Sequence, residues 1–427
     1  MVTMSKSKKI LVITYYWPPC GGAGVQRWLK FTKYMPDFGW EPYVLTVDPR
    51  YASYPALDES FNKEIRDPEK VFRTRARNYF RFNRGTVSSG TGTVGPSTLN
   101  KSLSGSLARF IRGNFFIPDP RKGWNKYAVK KASELIIKEG IQYIVTTSPP
   151  HSTQLIGLKL KKLFPSVKWI ADLRDPWTDI YYYDKFMGTW PAKTYDRSLE
   201  KRVLDRSDRI ITVGRILAGH FAGKLKNNQQ KISVVSNGYD ENDFKSLQKS
   251  KPDMLTITYV GSLTEQYPSN SLIASLRQLN EKDIGYKFRF VGDCSPGIKR
   301  KIKSVVQEDS FYYLSYRSHR EALTAMLTSS VLLVIIPDHE ENRMIITGKL
   351  FEYLRTGIPI LCIGPKNGEA AQIIKECGAG ATFGKEDTEG ITDYLLSGLI
   401  DKTKYEIPEQ YSRKNLTEIL TGEIEKL

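Results

Sequence analysis

The feature that most constrains the fold is an alternation of strand-length apolar runs with helix-length segments along almost the whole chain. The segment Val331–Leu361, VLLVIIPDHEENRMIITGKLFEYLRTGIPIL, shows it most clearly. It opens with branched apolar residues, which is typical of a strand covered on both faces, and a helix beginning at Gly348–Lys349 leads to a second strand after Pro359. Strands interleaved with helices form parallel sheets through right-handed crossovers. We therefore predict an α/β fold of doubly wound parallel sheets.

The chain of 427 residues is too long for one typical core, so two domains are expected. We predict an N-terminal Rossmann-like domain over 1–245 and a C-terminal one over 255–410, facing each other across a cleft. The polar segment Asp243–Met254 separates them. A Gly/Ser/Thr-rich stretch, 85–106, predicts a mobile surface loop. A charged helix over 411–427 follows, with packing back on the N-terminal domain as one possibility.

Composition restricts the class of protein. The net charge is +18, and residues 61–126 hold 14 Lys/Arg against 4 Asp/Glu, which suggests an anionic partner. Four cysteines and four histidines show no metal-ligand spacing, so we expect reduced thiols, no structural metal and a cytoplasmic setting. No apolar run reaches membrane-spanning length, and the N-terminal apolar stretch is too short for a signal peptide.

Two charged residues lie at the start of the helix after Gly348. Lys349 and Glu352 are three positions apart and project from the same side of the helix. A helix N-terminus attracts phosphate, a lysine adds charge, and a glutamate can accept two hydrogen bonds from a ribose diol. The pair therefore predicts a nucleotide-diphosphate site. A surface Lys–Glu pair on an ordinary crossover helix is the alternative.

Glycines and a histidine follow other predicted strands. The turn that contains Gly22 follows the first strand and permits close backbone approach, although such turns are often structural. Gly261 follows the first strand of the second domain, where a phosphate could approach. His151 lies between a strand end and a helix, where parallel sheets place ligands; a loop histidine bonded to backbone would look the same.

Asp172, Arg174 and Asp175 follow a further strand in the stretch WIADLRDPWT. Their charges could form a self-neutralising ion-pair network. The two aspartates could equally bind an acceptor hydroxyl, and the sequence does not separate these interpretations.

The stretch VFRTRARNYFRFNR interleaves arginines with aromatic and apolar residues, and LARFIRGNFFIPDPRKGW repeats the mixture. Arg73, Arg75, Arg77 and Arg81 are the predicted membrane-surface residues, because cations beside aromatics suit an anionic bilayer. A solvated charged face and nucleic-acid binding are the alternatives. Since no nucleic-acid motif accompanies the stretch, we do not expect a nucleic-acid partner.

Taken in order, several motifs resemble glycosyltransferase family 4, retaining enzymes of the GT-B fold. They are the glycine turn, VSNGYDENDF, YVGSL and GKLFEYLRTGIPIL, spread between about residues 10 and 380. PPHST followed by ADLRDPWTD resembles a bacterial branch that builds surface polysaccharides. The resemblance implies a nucleotide-sugar donor, retention at the anomeric carbon, no bound metal and no further cofactor.

The resemblance also assigns roles. Glu352 would hold the donor ribose, Gly22 would offer its backbone to the donor diphosphate or the acceptor, and His151 would assist the transition state beside the donor sugar. The family's usual first Glu, eight positions before Glu352, is Met344 here, and the stretch GSLTEQYPSN lacks the usual Arg and Lys.

Departure of a nucleoside diphosphate leaves charge on its β-phosphate, which preorganised donors and cations must stabilise. With the usual pair missing, Lys349 becomes the main cation for the diphosphate. The backbone amides at Thr347 and Gly348, together with Arg174 or alternatively Arg215 across the cleft, complete the predicted catalytic and donor-binding set.

The sequence thus predicts a hexosyltransferase that moves a sugar from a nucleotide-diphosphate donor to a lipid-linked glycan acceptor in surface polysaccharide biosynthesis. We expect it to be peripheral at the cytoplasmic face of the cell membrane. A nucleotide-sugar epimerase of the same fold and a non-catalytic, basic membrane- or nucleic-acid-binding protein are the alternatives.

Overall fold

A computed structural model of the chain describes residues 7–77, 103–315, 317–337, 339–398, 400 and 403–427. The chain forms two compact units. Unit 1 comprises residues 1–237 and 413–427, and unit 2 comprises residues 238–412. Each unit contains its own parallel sheet with helices packed on it.

Unit 1 is built around a seven-stranded parallel sheet with the strand order β3-β2-β1-β4-β5-β6-β7. Its elements are β1 (Lys8–Ile13), α1 (Ala23–Tyr34), β2 (Trp40–Val47), β3 (Val71–Thr74), α2 (Leu103–Phe115), α3 (Asn125–Glu139), β4 (Tyr143–Ser148), α4 (Ser152–Leu163), β5 (Lys168–Leu173), α5 (Trp190–Arg206), β6 (Arg209–Thr212), α6 (Arg215–Lys224) and β7 (Ile232–Val234). Apart from their first residues, the central strands β1, β4 and β5 are buried, as a sheet covered on both faces requires.

Unit 2 contains a six-stranded parallel sheet with the order β10-β9-β8-β11-β12-β13. Its elements are α7 (Glu241–Phe244), β8 (Leu255–Val260), α8 (Asn270–Glu281), β9 (Tyr286–Val291), α9 (Pro296–Lys303), β10 (Phe311–Leu314), α10 (His319–Leu327), β11 (Val331–Ile335), α11 (Lys349–Thr356), β12 (Ile360–Ile363), α12 (Glu369–Glu376), β13 (Gly380–Phe383) and α13 (Thr388–Leu396). The predicted fold class, two doubly wound Rossmann-like sheets, is confirmed.

The last helix, α14 (Arg413–Glu425), belongs to unit 1. Leu416, Leu420 and Ile424 enter the unit 1 core at helical spacing. Polar contacts support this packing, because Glu423 pairs with Arg209 of β6 at 3.3 Å. The final helix therefore completes the first unit of the chain.

The sequence interpretation missed five elements: β3, α2, α7, β10 and β13. Three of them are short strands at sheet edges, where fewer apolar residues are needed. β13 starts at Gly380, where a Cβ would lie 1.9 Å from the Ile360 carbonyl oxygen, so glycine permits close pairing with β12. Of the predicted loop 85–106, residues 85–102 lie outside the described residues, and the last four form the first turn of α2.

The two units divide between Asn237 and Gly238, ahead of the predicted break over 245–255. The segment after Asn237 joins unit 2 because its side chains pack there: Tyr239 and Phe244 are buried in a unit 2 core cluster. Glu241 also pairs with Arg355 of α11 at 2.7 Å.

Across the described residues, no helix has the length and apolar character needed to span a membrane.

Candidate functional site

The strand order locates the positions where each sheet can bind a ligand. In unit 1, β1 pairs with both β2 and β4, and in unit 2, β8 pairs with both β9 and β11. At these points the crossovers leave on opposite sides, so a crevice opens beyond the carboxyl ends of the strands. The predicted glycines, His151 and Lys349 all follow the strands at these switch points.

Lys349, the first residue of α11, turns back onto the end of β8. Its Nζ donates a hydrogen bond to the Val260 carbonyl at 2.8 Å and lies 3.8 Å from the centroid of the Tyr259 ring. Burial lowers the pKa of Lys349 to about 7. Near neutral pH the amine is therefore divided between its charged and neutral forms, and an arriving anion would favour the charged one.

Glu352 lies one turn further along α11, and its Oε1 is 2.8 Å from Nε2 of His319. Ser318 caps helix α10 and forms a capping box with Glu321, which fixes His319 at the start of that helix. His319 was not among the predicted site residues, because the short strand β10 before it was not recognised. A carboxylate oriented by a histidine is a suitable acceptor for hydroxyl groups.

Backbone geometry accounts for the glycines of unit 2. Gly261 has φ +127°, and a Cβ there would lie 3.1 Å from Lys349 Nζ. A side chain would thus be strained and would crowd the lysine. Thr347 and Gly348 directly precede α11, and their carbonyls accept the first helical bonds from Leu350 and Phe351. Their assignment to the donor stays a prediction, as does that of Gly261.

Met344, at the position of the family's usual first Glu, ends a short helical turn and is only 8% exposed. Its side chain packs as an apolar residue and offers no hydrogen-bonding group. In this position the chain therefore lacks the carboxylate that the resemblance leads one to expect.

In unit 1, the glycine turn after β1 is tied to the ends of β4 and β5. Gly22 is exposed with φ +89°, and a Cβ there would meet nothing within 4 Å, so its backbone faces open space. Arg174 donates from Nε to the Ser148 carbonyl at 2.9 Å and from Nη1 to the Gly24 carbonyl at 3.2 Å. Burial lowers the pKa of Arg174. Arg174 thus joins the ends of β4 and β5 to the start of α1 at the switch point.

His151 lies just before α4 and stacks on Trp177, with ring centroids 4.9 Å apart. Burial lowers the pKa of His151 to about 4, so the ring is neutral at physiological pH. Its buried Nδ1 has no hydrogen-bond partner among the described residues. A neutral imidazole held flat by an indole can donate or accept one hydrogen bond to a bound sugar.

Asp172 is fully buried and lies inside a hydrogen-bond network. Its carboxylate accepts bonds from Arg27 Nη2 at 3.0 Å, Trp28 Nε1 at 2.8 Å and Thr147 Oγ1 at 2.6 Å. Because these groups enclose the carboxylate, it has no accessible side for the hydroxyl of an acceptor sugar. The geometry therefore favours the ion-pair interpretation for Asp172. Asp175 is partly exposed, and burial raises its pKa, so it is the more accessible of the two predicted acceptor carboxylates.

Two arginines that were not predicted as site residues lie in the same unit. Burial lowers the pKa of Arg112 of α2 to about 10, an effect that nearby Asp119 opposes and Arg121 adds to. The pKa of Arg121 is raised, because attraction to Tyr16, Tyr15 and Asp119 outweighs the effect of burial. The sequence analysis predicts a membrane surface for their stretch, since an alternating basic and aromatic pattern does not show which side chains turn inward.

The predicted membrane-surface residues lie on and after the edge strand β3. Arg73, Arg75 and Arg77 are exposed, and Arg81 lies outside the described residues. Arg73 donates to the Pro18 carbonyl at 3.0 Å, and the Arg75 guanidinium lies 4.9 Å from the Tyr127 ring centroid. Their membrane role stays a prediction.

Known proteins resemble the chain in sequence and in fold. Residues 95–243 match the family described as Glycosyltransferase Family 4. A comparison with curated proteins gave no significant match. A glycosyltransferase from Rickettsia africae ESF-5 has a similar structure, with a TM-score of 0.62 at 14% identity over 99% of this chain and 98% of that one.

Two further solved structures share the fold. The lipopolysaccharide outer core galactosyltransferase WaaB has a TM-score of 0.61 at 12% identity over 98% of this chain and 100% of that one. HepE from Anabaena, solved in complex with UDP-glucose, has a TM-score of 0.62 at 12% identity over the same shares. The family match over residues 95–243 confirms the predicted resemblance to glycosyltransferase family 4, and the solved structures confirm the predicted fold.

Proposed function

We propose that the protein is a retaining, metal-independent hexosyltransferase that moves a sugar from a nucleotide-diphosphate donor to a lipid-linked glycan acceptor in surface polysaccharide biosynthesis. The observation that carries the proposal is the arrangement at the switch point of unit 2. There Lys349 and Glu352 project from the start of α11 beside the end of β8, with Gly261 leaving room around the lysine. HepE, which has the same fold, binds UDP-glucose.

The proposed chemistry depends on charge stabilisation. When the sugar leaves, charge develops on the β-phosphate, and a preorganised cation lowers the barrier because it needs no reorganisation. Lys349 supplies that cation, and its pKa near 7 lets it take up a proton as the anion binds. Glu352 holds the ribose, and the amides at the start of α11 add their dipole. His151, neutral and stacked on Trp177, contributes a hydrogen bond to the sugar.

A donor screen tests the proposal. We expect at least one of UDP-, GDP-, ADP- or dTDP-linked sugars to raise the melting temperature in a dye-based thermal shift assay. Glu352→Ala should weaken that donor about 10- to 100-fold, because hydrogen bonds to a charged group are lost. Glu281→Ala, on an exposed glutamate at the end of α8, is the matched control. A donor bound equally by Glu352→Ala would remove the ribose assignment, and silence from every donor would remove the donor site.

Helix α2 supports the proposed peripheral membrane location. Leu107, Phe110, Ile111 and Phe115 lie on one helical face and are 60%, 39%, 37% and 67% exposed. An exposed apolar stripe beside basic residues is typical of helices that lie in the plane of an anionic bilayer. The exposed arginines of β3 and its continuation, Arg73, Arg75 and Arg77, add positive charge to the same unit.

Co-sedimentation with liposomes tests the location. Binding should require anionic lipid and should fall for Phe110→Ser and Phe115→Ser, because each removes apolar area from the exposed face. Ile419→Ser, which changes an exposed apolar residue of α14, is the control. Equal sedimentation of all variants would exclude α2 as the membrane contact.

The buried Met344 favours a second candidate, a binding protein that keeps the fold without transferring sugar. The same donor screen separates the two when it is followed by a turnover assay. The binding protein is supported if a donor binds to the unaltered protein, and binds less well to Glu352→Ala, but no free nucleoside diphosphate is released with any acceptor or with water. Release of nucleoside diphosphate, lost in Lys349→Met, would support the transferase.

A further inference from the structure

Unit 1 contains two arginines that the donor proposal does not use, Arg112 and Arg121, close to His151, which that proposal places beside the sugar. We call Arg112, Arg121 and His151 the arginine cluster. Arg112 comes from α2, Arg121 from the turn before α3, and His151 from the turn before α4. Asp119 lies close enough to act electrostatically on all three of them. The cluster thus lies near the end of β4, at the switch point of this sheet.

Helix α2 is held so that Arg112 faces inward. A Cβ on Gly113 would lie 2.1 Å from the Phe186 carbonyl oxygen, so glycine allows the helix to touch the segment that precedes α5. The Arg112 guanidinium lies 3.8 Å from the centroid of the buried Phe186 ring. Asn114 fixes the register by donating to the Met187 carbonyl and accepting from Thr189 N at 2.8 Å. The apolar stripe of α2 is left exposed, and its member Phe115, three positions after Arg112, lies next to the arginine on the helix surface.

The carboxylate of Asp119, the nearest to the arginine cluster, is already used for hydrogen bonds to the protein. Asp119 accepts bonds from Ser152 N at 2.7 Å, Ser152 Oγ at 2.9 Å and Arg121 N at 2.9 Å, so it caps two helical turns. In the described part of the chain, no carboxylate forms an ion pair with the guanidinium of Arg112 or Arg121. The buried Nε atoms of both arginines, like Nδ1 of His151, have no hydrogen-bond partner among those residues.

We infer that Arg112 and Arg121 bind a phosphate or diphosphate group on the acceptor, which is an anionic lipid whose chain lies along the apolar stripe of α2. The Nε atoms of both guanidinium groups are buried without an acceptor, which is unfavourable unless an anion supplies it, although the Arg121 side chain also bonds to Tyr16. Arginine is suited to that role because its planar donors match phosphate oxygens in pairs. A neutral glycan would supply hydroxyls but no charge. The inference rests on the proposed function, since it names the acceptor of the same reaction.

The other basic concavity of unit 1 does not share this feature. It lies at the amino ends of β5 and β6, where Lys161 bonds to Asp208 at 2.8 Å and Lys231 donates to the Asp205 and Ser207 carbonyls. These cations stabilise the protein itself. Arg206, an exposed residue at its border, offers a matched control for the arginine cluster.

Farnesyl diphosphate, an apolar chain with a diphosphate, is the probe. Binding to the full chain is measured by isothermal titration calorimetry, beside inorganic pyrophosphate and the nucleoside diphosphate identified by the donor screen. We expect Arg121→Gln and Arg112→Gln each to weaken farnesyl diphosphate about 10-fold or more, the loss of a charge-assisted hydrogen bond. Arg206→Gln should bind as the unaltered protein does, and Arg121→Lys should retain part of the affinity.

The outcomes separate the two sources of diphosphate. Under the proposal, Glu352→Ala weakens the nucleoside diphosphate but leaves farnesyl diphosphate unchanged, and Arg121→Gln does the reverse. If Arg121→Gln weakens the nucleoside diphosphate instead, the cluster serves the donor and the inference is overturned. Equal farnesyl diphosphate binding by Arg121→Gln, Arg112→Gln and Arg206→Gln would also overturn it. A failed donor screen with the farnesyl result intact would count against the proposed transferase alone.

Discussion

The buried ion pair between Arg27 and Asp172 allows a quantitative test of how unit 1 is stabilised. Both side chains are 0% exposed, with Arg27 Nη2 3.0 Å from Asp172 Oδ1. Arg27 also donates to the Val235 carbonyl at 2.8 Å and the Ser236 carbonyl at 2.9 Å. The pair therefore connects α1 with the end of β5 and with the last residues before the boundary of the unit.

Asp172→Asn keeps the shape of the side chain and removes only its charge. Arg27 would remain charged and buried without a counter-ion, a situation that costs about 3–5 kcal/mol. For a unit of about 250 residues, we expect the melting temperature to fall by roughly 6–20 °C. The double variant Arg27→Met/Asp172→Asn removes both charges and should recover part of this loss, because no unpaired charge remains.

Tryptophan fluorescence is the appropriate assay, because all seven tryptophans lie between Trp17 and Trp190 and so report on unit 1 alone. Urea unfolding of Asp172→Asn is compared with that of Lys201→Ala, which breaks an exposed pair with Asp205 at 3.2 Å. The exposed pair is expected to contribute about 0–1 kcal/mol. If Asp172→Asn loses no more free energy of unfolding than Lys201→Ala, the reasoning about the buried pair is refuted.

Two other predictions concern charge and packing. Because burial lowers the pKa of Lys349 to about 7, affinity for the donor nucleotide should be greatest below pH 7 and fall as pH rises through that value. Lys349→Arg stays charged and should therefore flatten the dependence of donor affinity on pH, measured by calorimetry. If the unaltered protein and the variant show parallel pH profiles, the assignment of Lys349 to the donor diphosphate is contradicted. Gly157→Ala should destabilise unit 1 by about 1–3 kcal/mol, since its Cβ would lie 2.2 Å from Trp169 Nε1. Gly219→Ala is the control in the same unfolding experiment monitored by tryptophan fluorescence, because a Cβ there would have no neighbour within 4 Å. If both substitutions lower the free energy of unfolding equally, the packing argument is contradicted.

The sequence was informative where one physical cause determines the structure. The apolar run Val331–Ile335 can only be stable when both faces are covered, so its strand and the crossover after it were predictable. The start of α11 was predicted within one residue for the same reason. Edge strands such as β10 could not be predicted in this way, because one side of such a strand is unpaired and its side chains are only partly buried. His319 was missed together with the strand that precedes it.

The site was harder to predict than the fold because a charged residue has the same pattern whether it faces solvent or the interior. Asp172 and Asp175 are three positions apart, yet one is enclosed by Arg27 and the other is partly exposed. Arg112 and Phe110 are two positions apart on α2, and the helix turns one inward and the other outward. Such differences depend on contacts between segments distant in sequence, which local pattern does not contain.

The position of α14 has a consequence for how the chain is made. Unit 2 is an insertion within the chain of unit 1, whose core is completed only by residues 413–427. On the ribosome, unit 2 has all of its residues before Leu416 and Leu420 can cover α1, although domains generally fold in the order of synthesis. The nascent first unit must therefore wait with part of its core uncovered, and the second unit is the one able to fold first.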